Sequence, residues 1–335
     1  MANEHAVLLE VCQLGLEAIA GTLVPATYKW SGKALLKFLD KLHEGDYATA
    51  EAGGAVEDIW PASTGSELTL VDTDFSVELG IWLLNMGVKA VVGPATSFPF
   101  TLPTLVTPNA ISTFTWEYKF GNQEYEFGYG FAKKIGIHGD SESNDGILQG
   151  NAVIEGRKSA PSTMTASLAQ LASREPLSVL GGTFKLDALG TAFGTAAALA
   201  GTLRAFAVNL DPTGWAAGRY VDGRTDKDFA LAEGGGVGYK IKGEVRVSMT
   251  AAMVTEIANA RAGTGRIMEI ALAGTSSRAF KIQLPIFYHP DEINVDQEAN
   301  GMRLVTLPWT AKYSRTTTSQ GPQFSLTSSA STTVT

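Results

Sequence analysis

The sequence predicts a mainly β protein, a β-sandwich or barrel with flanking helices and two repeated β units. Three observations carry this. Residues 111–157 alternate apolar and polar side chains in successive short runs. A second run of the same kind occupies 203–288. Charged residues make up only 18% of the chain while glycine reaches 36 residues, which suits strands, tight turns and a surface largely met by other protein.

The first run sets the pattern. Phe114, Trp116, Tyr118 and Phe120 point one way, and Thr113, Thr115, Glu117 and Lys119 the other. A strand places successive side chains on opposite faces, so this is a half-buried strand. Gly121-Asn122 supplies a turn, after which Tyr125, Phe127 and Tyr129 resume the alternation. Ile135 and Ile137 mark a further strand, Asp140–Gly146 a solvated turn, and Leu148, Ala152 and Ile154 one face of a returning strand.

These residues resemble a known family. Tyr125-x-Phe127-Gly128, then Ile135-x-Ile137-x-Gly139, then a returning strand ending at Gly156-Arg157, is similar to the tail tube proteins of long-tailed, non-contractile bacteriophages. The resemblance covers about residues 105–313. It implies β-sandwich subunits, one sheet of which joins its neighbours in a closed barrel, and rings that stack with loops and terminal arms bridging them. It also implies a virion protein assembled in the host cytoplasm. The expected partners are the chain itself, the tape measure protein, tail terminator and tail-tip proteins, and DNA in transit without sequence-specific binding; no membrane partner and no cofactor is expected. Candidate lumen-facing residues are Glu117, Lys119, Glu124, Glu126, Lys240, Lys242, Glu244 and Arg246, with the glutamates expected to repel passing phosphates.

The remaining elements follow in order. Val7, Leu8, Val11, Leu14, Leu16 and Ile19 predict a short helix over 4–20, or an assembly arm. Residues 33–42 are amphipathic. The acidic, Gly- and Ala-rich stretch 43–74 reads as a long loop; ten acids and one base fall between 40 and 78, so most of the net charge of −8 lies there. Residues 75–92 are strongly apolar and are expected to pack on the sheet. Pro94, Pro99 and Pro103 make an extended connector. A helix is expected at 163–174 and strands at 184–189 and 206–210. In 239–247, Tyr239, Ile241, Gly243, Val245 and Val247 oppose Lys240, Lys242, Glu244 and Arg246. A helix at 249–262 has Ser248 as its cap and Gly263 as its stop. Strands are expected at 266–272, 280–288 and 302–313.

Matching strand, returning strand and helix in the two runs suggests a duplication. The expected divisions are 1–110 (arm, acidic loop and packing segment), 111–200 and 201–313 (two β units), and 314–335, a Ser/Thr-rich arm with a single charge, Arg315. Two units per chain would let three chains complete a pseudo-sixfold ring; single units would need six.

Catalytic chemistry does not assemble. His5, His43, His138 and His289 lie in different segments without metal-ligand spacing. Gly234–Lys240 fails the phosphate-loop pattern, because no Ser or Thr follows Lys240. Asp140–Gly146 departs from a calcium loop in its glycine position and in Asn151 at the twelfth place. The lone Cys12 cannot form an internal disulfide. The apolar run 188–201 is shorter than the ~20 residues a membrane helix needs. No enzyme activity is expected. The alternatives are a soluble β-sandwich receptor-binding or decoration protein of a virion and, further off, a β-sandwich hydrolase.

Overall fold

In the computed structural model the described residues are 10–30, 32–45, 58–88, 97–101, 111–168, 176–212, 215–218, 228–231, 239–274, 278–299, 302–312 and 321–328. They are mainly β and antiparallel. In chain order the strands are β1 (Val11–Leu16), β2 (Tyr28–Trp30), β3 (Ala34–Phe38), β4 (Lys41–Gly45), β5 (Asp58–Ser63), β6 (Ser66–Asp74), β7 (Ser97–Thr101), β8 (Phe114–Phe120), β9 (Gln123–Asp140), β10 (Gln149–Gly156), β11 (Ala160–Pro161), β12 (Thr183–Ala188), β13 (Leu203–Pro212), β14 (Trp215–Gly218), β15 (Asp228–Leu231), β16 (Tyr239–Ser248), β17 (Arg266–Ala273), β18 (Ala279–Tyr288), β19 (Asn294–Ala299), β20 (Met302–Ala311) and β21 (Gln323–Thr327). The helices are α1 (Val77–Gly87) and α2 (Ala251–Arg261).

The 18-residue β9 organises the molecule. Extended at ~3.3 Å per residue it runs for roughly 60 Å, enough to serve two sheets. Its first half pairs with β8, which carries β1 and then β2. Its second half pairs with β10 on one side and β13 on the other. From there a wide sheet runs β3-β6-β10-β9-β13-β16-β20-β19. A smaller sheet, β7-β21-β18-β17-β12, joins it where the end of β18 pairs with β20.

Helix α1 fills the space between them. Ser76 caps it, its hydroxyl accepting from the Leu79 N–H at 3.2 Å. All eleven residues are buried, Glu78 and Asn85 among them, as expected of a helix with no wholly polar face. A Cβ on Gly80 would lie 2.6 Å from the Phe75 ring and 3.1 Å from Leu326, and one on Gly87 2.8 Å from Ile135. The helix thus touches the wide sheet through Ile135 and the smaller sheet through Leu326. Phe75 meets Phe280 with ring centroids 5.2 Å apart.

Two inserted hairpins share one end of the wide sheet. β4–β5 interrupts the β3–β6 pair and β14–β15 the β13–β16 pair. Because neighbours alternate in direction, β3 and β13 run the same way and finish at the same end. The sheet therefore reads as one four-strand order given twice. The first set is β3, hairpin, β6, α1, with β10 and β9 beyond; the second is β13, hairpin, β16, α2, with β20 and β19 beyond. Both helices have eleven residues and a hydroxyl cap.

The strand order given twice spans 34–156 and 203–311, bounds that differ from the expected units 111–200 and 201–313. Several expectations about single elements are corrected. Strand β8 is not the counterpart of β13, because it lies in the sheet of β1 and never pairs with β10. Residues 11–16 form a buried strand rather than a helix; a short apolar run enclosed by β2 and β8 loses the periodicity that separates the two. Within the expected loop 43–74, β5 and β6 are strands. The apolar segment 75–92 supplies α1. Of the proline connector, Ser97–Thr101 is a strand on β21.

The helix expected at 163–174 is absent over 163–168. There the Thr165 N–H and hydroxyl both donate to Glu117, and Ser167 sits at φ +60. The cap of α2 is Thr250, not Ser248, whose hydroxyl instead accepts from Arg204 Nε at 2.9 Å. Gly263, at φ +67, ends α2 as expected. The tail is not wholly an arm: β21 seats Phe324 and Leu326 in the core. Residues 1–9, 31, 46–57, 89–96, 102–110, 169–175, 213–214, 219–227, 232–238, 275–277, 300–301, 313–320 and 329–335 lie outside the described residues, and with them His5, Pro94, Pro103, the glycines 234–238, Arg315 and part of each arm.

Candidate assembly surface

The wide sheet has one face in the core and one outside. Inward, Leu68, Leu70, Ala152, Ile154, Ile135, Ile137, Phe206, Val208, Ile241, Val245 and Leu307 are buried. The cross-strand registers place Asp74, Gln149 and His138 in one outward row, continued by Ala207 and Glu244. Asn151, Gly136, Asn209 and Lys242 form the next row. Small and amide side chains hold its centre. A Cβ on Gly136 would lie 2.3 Å from the Asn151 amide oxygen, so that amide lies flat across the strand.

Charge on this face is mixed in sign. Lys240, Lys242 and Arg246 flank Glu244 on β16. Across β13, Asp211 faces Lys240. Lys133 pairs with Glu155 at 3.1 Å, and His138 Nε2 lies 3.9 Å from Asp72. Asn151 also donates to Asp72.

The expected lumen residues divide between two places. Lys240, Lys242, Glu244 and Arg246 share the outward face of the wide sheet. Glu117, Lys119, Glu124 and Glu126 sit on the β8–β9 hairpin, in the other sheet. Glu117 is corrected outright: it is buried. Its carboxylate accepts from the Ala26 N–H at 3.1 Å, the Thr165 N–H at 2.7 Å and the Thr165 hydroxyl at 2.6 Å. Lys119 is paired with Glu124, which also accepts from the Met164 N–H at 3.0 Å. These donors, Lys119 foremost, hold the Glu124 carboxyl below the usual carboxylate range. Glu126 accepts from the Ser162 hydroxyl. Segments 17–27 and 162–168 thus cover the polar side of β8 as far as Glu117 and leave Lys119 half-buried.

Glu17 was invisible to pattern reading. It is buried and accepts from the Gly21 N–H (2.6 Å), the Thr113 hydroxyl (2.7 Å), the Thr115 hydroxyl (3.1 Å) and the Tyr129 N–H (2.8 Å). Four donors offset the desolvation of one carboxylate. Tyr129 stands at φ +60, fixed by that bond and by Arg157 over its ring at 5.0 Å. The one available signal was the Thr113/Thr115 alternation, which implied an acceptor opposite.

Among the described residues no group of three or more His, Cys, Asp or Glu is placed to hold a metal ion. No described helix is long and apolar enough to cross a membrane. A cleft of about 420 Å³ opens where β9 ends and β13 begins, lined by Ser141, Val179, Leu180, Phe184, Leu199 and Arg204. The apolar run 188–201 contributes one of its walls. No protein-family model matches the chain, and no curated protein matches it.

Proposed function

We propose that the chain is a structural virion protein that polymerises into stacked rings, forming a tail tube through which DNA is ejected. The reading joins the resemblance in the β8–β10 region to one observation, the wide sheet with its order given twice. Both returning strands, β10 and β16, stand in that sheet, and each edge strand pairs on one side only among the described residues. A closed ring of copies removes such edges, which would otherwise promote aggregation.

Strand arithmetic favours three chains per ring. Three copies of eight strands, at ~4.8 Å per strand and a tilt up to ~40°, give a backbone diameter of roughly 37–48 Å. Side chains reaching ~5 Å inward leave a bore of roughly 27–38 Å, suited to a duplex. Six copies would double the circumference and leave a bore far wider than a duplex needs. On this reading the outward face of the wide sheet lines the bore. Its interspersed charges offer no run of cations to bind phosphates, so DNA slides past without sticking. No catalytic role is assigned to any residue.

The second reading, a receptor-binding or decoration protein, draws on the cleft at Val179–Arg204. Electron microscopy of the purified full chain separates the two. Tubes formed without nucleotide or metal support the lead. Discrete particles, at high concentration and with a tail-tip initiator present, refute it.

A further inference from the structure

The cleft where β9 ends and β13 begins has two walls, each a loop held from behind. One is the turn 179–182. The Val179 N–H donates to the Gly146 carbonyl at 2.8 Å, and the Gly182 N–H closes on the Val179 carbonyl at 3.1 Å, around Gly181 at φ +87. Leu180 lies over Gly146, where a Cβ would come within 2.6 Å of its side chain. The other wall is 198–201. The Leu199 N–H donates to the Phe184 carbonyl at 2.8 Å, and the Thr202 hydroxyl donates to the Ala200 carbonyl at 3.3 Å. Gly201, at φ +65, then turns the chain into β13. Gly181 and Gly201 both face open space, so the gap between the walls stays unfilled.

The walls are aliphatic, with Val179, Leu180, Leu199 and Leu203 foremost. The cleft deepens into a narrow pocket of about 40 Å³ floored by Phe206 of the wide sheet and by Ile270 and Leu272 of the smaller one. At about 420 Å³ the whole has the size of a small-ligand site.

Among the described residues that line it, Arg204 alone is charged, in a chain whose net charge is −8. Its Nε donates to the Ser248 hydroxyl at 2.9 Å, which fixes the plane of the guanidinium. The Ser141 N–H donates to the Arg204 carbonyl at 2.9 Å, so the two residues are tied together. The Ser141 hydroxyl is buried without a hydrogen-bond partner, whereas native structures rarely leave such a group unmet. A guanidinium keeps its charge at any working pH and matches the two oxygens of a carboxylate. Apolar walls and floor weaken the competition from water for that pairing.

We infer that this cleft binds a small aliphatic carboxylate, its head at the corner made by Arg204 and Ser141 and its chain against Val179, Leu199 and Leu203. The site lies within one chain and does not depend on the ring reading.

Isothermal titration of the full chain with octanoate, octanol and octylammonium, each below its micelle concentration, tests the assignment. Octanoate should saturate one site per chain. Octanol and octylammonium should bind roughly tenfold more weakly or worse, since each lacks the charge-assisted hydrogen bonds. R204Q should weaken octanoate by about the same factor. A200F, at an exposed position of one wall, should abolish binding by filling the cleft. Thermal melts check that each variant folds. If R204Q melts early, R204K takes its place: it keeps the charge, loses the planar fork and should bind between the parent and the neutral probe. Absence of saturable octanoate binding overturns the proposal. So does octylammonium binding as tightly as octanoate, or undiminished binding by folded A200F or by the folded Arg204 variant. Tighter binding of acetyl-alanyl-leucine than of octanoate would assign the cleft to a polypeptide C-terminus and overturn the proposal as well.

Discussion

Truncating Phe324 tests whether β21 belongs to the folded core. The ring is 1% exposed on a strand held between β18 and β7, and its neighbour on the same face, Leu326, packs against α1 at Gly80. F324A removes a fully enclosed ring, and the site cannot collapse around it, because sheet on both sides and a buried helix fix its walls. The expected cost is ~3–5 kcal/mol, a large share of the ~5–15 kcal/mol that holds a domain together. With a urea slope of ~3 kcal/mol/M, the midpoint should fall by roughly 1–1.7 M. Q323A, on the opposite face of the strand, is the control and should move it by less than ~0.2 M. Urea unfolding followed by tryptophan fluorescence measures both. An F324A midpoint within ~0.2 M of the parent would show that residues 321–328 are an appendage and that the packing argument is wrong.

Other consequences follow from single sites. G243A places a Cβ 1.9 Å from the Ala207 carbonyl and should cost several kcal/mol; an unchanged melt would contradict the close β13–β16 approach. T165A removes one of the donors to the buried Glu117 and should cost ~1–3 kcal/mol, with faster proteolysis near 162–168; equal cleavage rates would refute that role. The Glu124 carboxyl, lowered by Lys119, should stabilise the fold above the ordinary carboxylate pKa and lose that contribution as pH falls through its own lower value; an NMR titration in which K119A leaves Glu124 unmoved would break the link. Burial pushes the Cys12 thiol up, so it should resist an aromatic disulfide reagent at pH 8 until urea unfolds the chain; rapid reaction in native buffer would place it at the surface.

The sequence revealed strands best where one face is wet. β16 and β18 alternate cleanly, and their inward sets match the buried residues; β8 alternates too, although its polar side is covered by other segments. It failed where both faces are enclosed. Val11–Leu16 and the α1 segment are enclosed on all sides and mostly apolar, so period could not separate strand from helix, and only pairing partners far along the chain decide. Residues 314–335 misled through composition: thirteen Ser or Thr mask Phe324 and Leu326, whose alternation across Ser325 was the available signal. The twofold strand order of the wide sheet does not coincide with the two runs that the alternation picks out. Its first set begins at β3, inside a stretch whose acidity suggested a loop, and β8 offered a false match because it alternates as β13 does. Of the candidate lumen residues, β16 kept its outward face. Glu117 did not, since alternation says that a side chain leaves the core-facing side, not whether another segment covers it.

A symmetry-free reconstruction of one ring from tubes of the full chain tests the central claim most directly. Three chains per ring, each placing eight strands around the bore with β16 and β10 four strands apart from their nearest counterparts, is the predicted result. Six superimposable chains per ring, or a bore lined by the β1–β8 sheet, would contradict it.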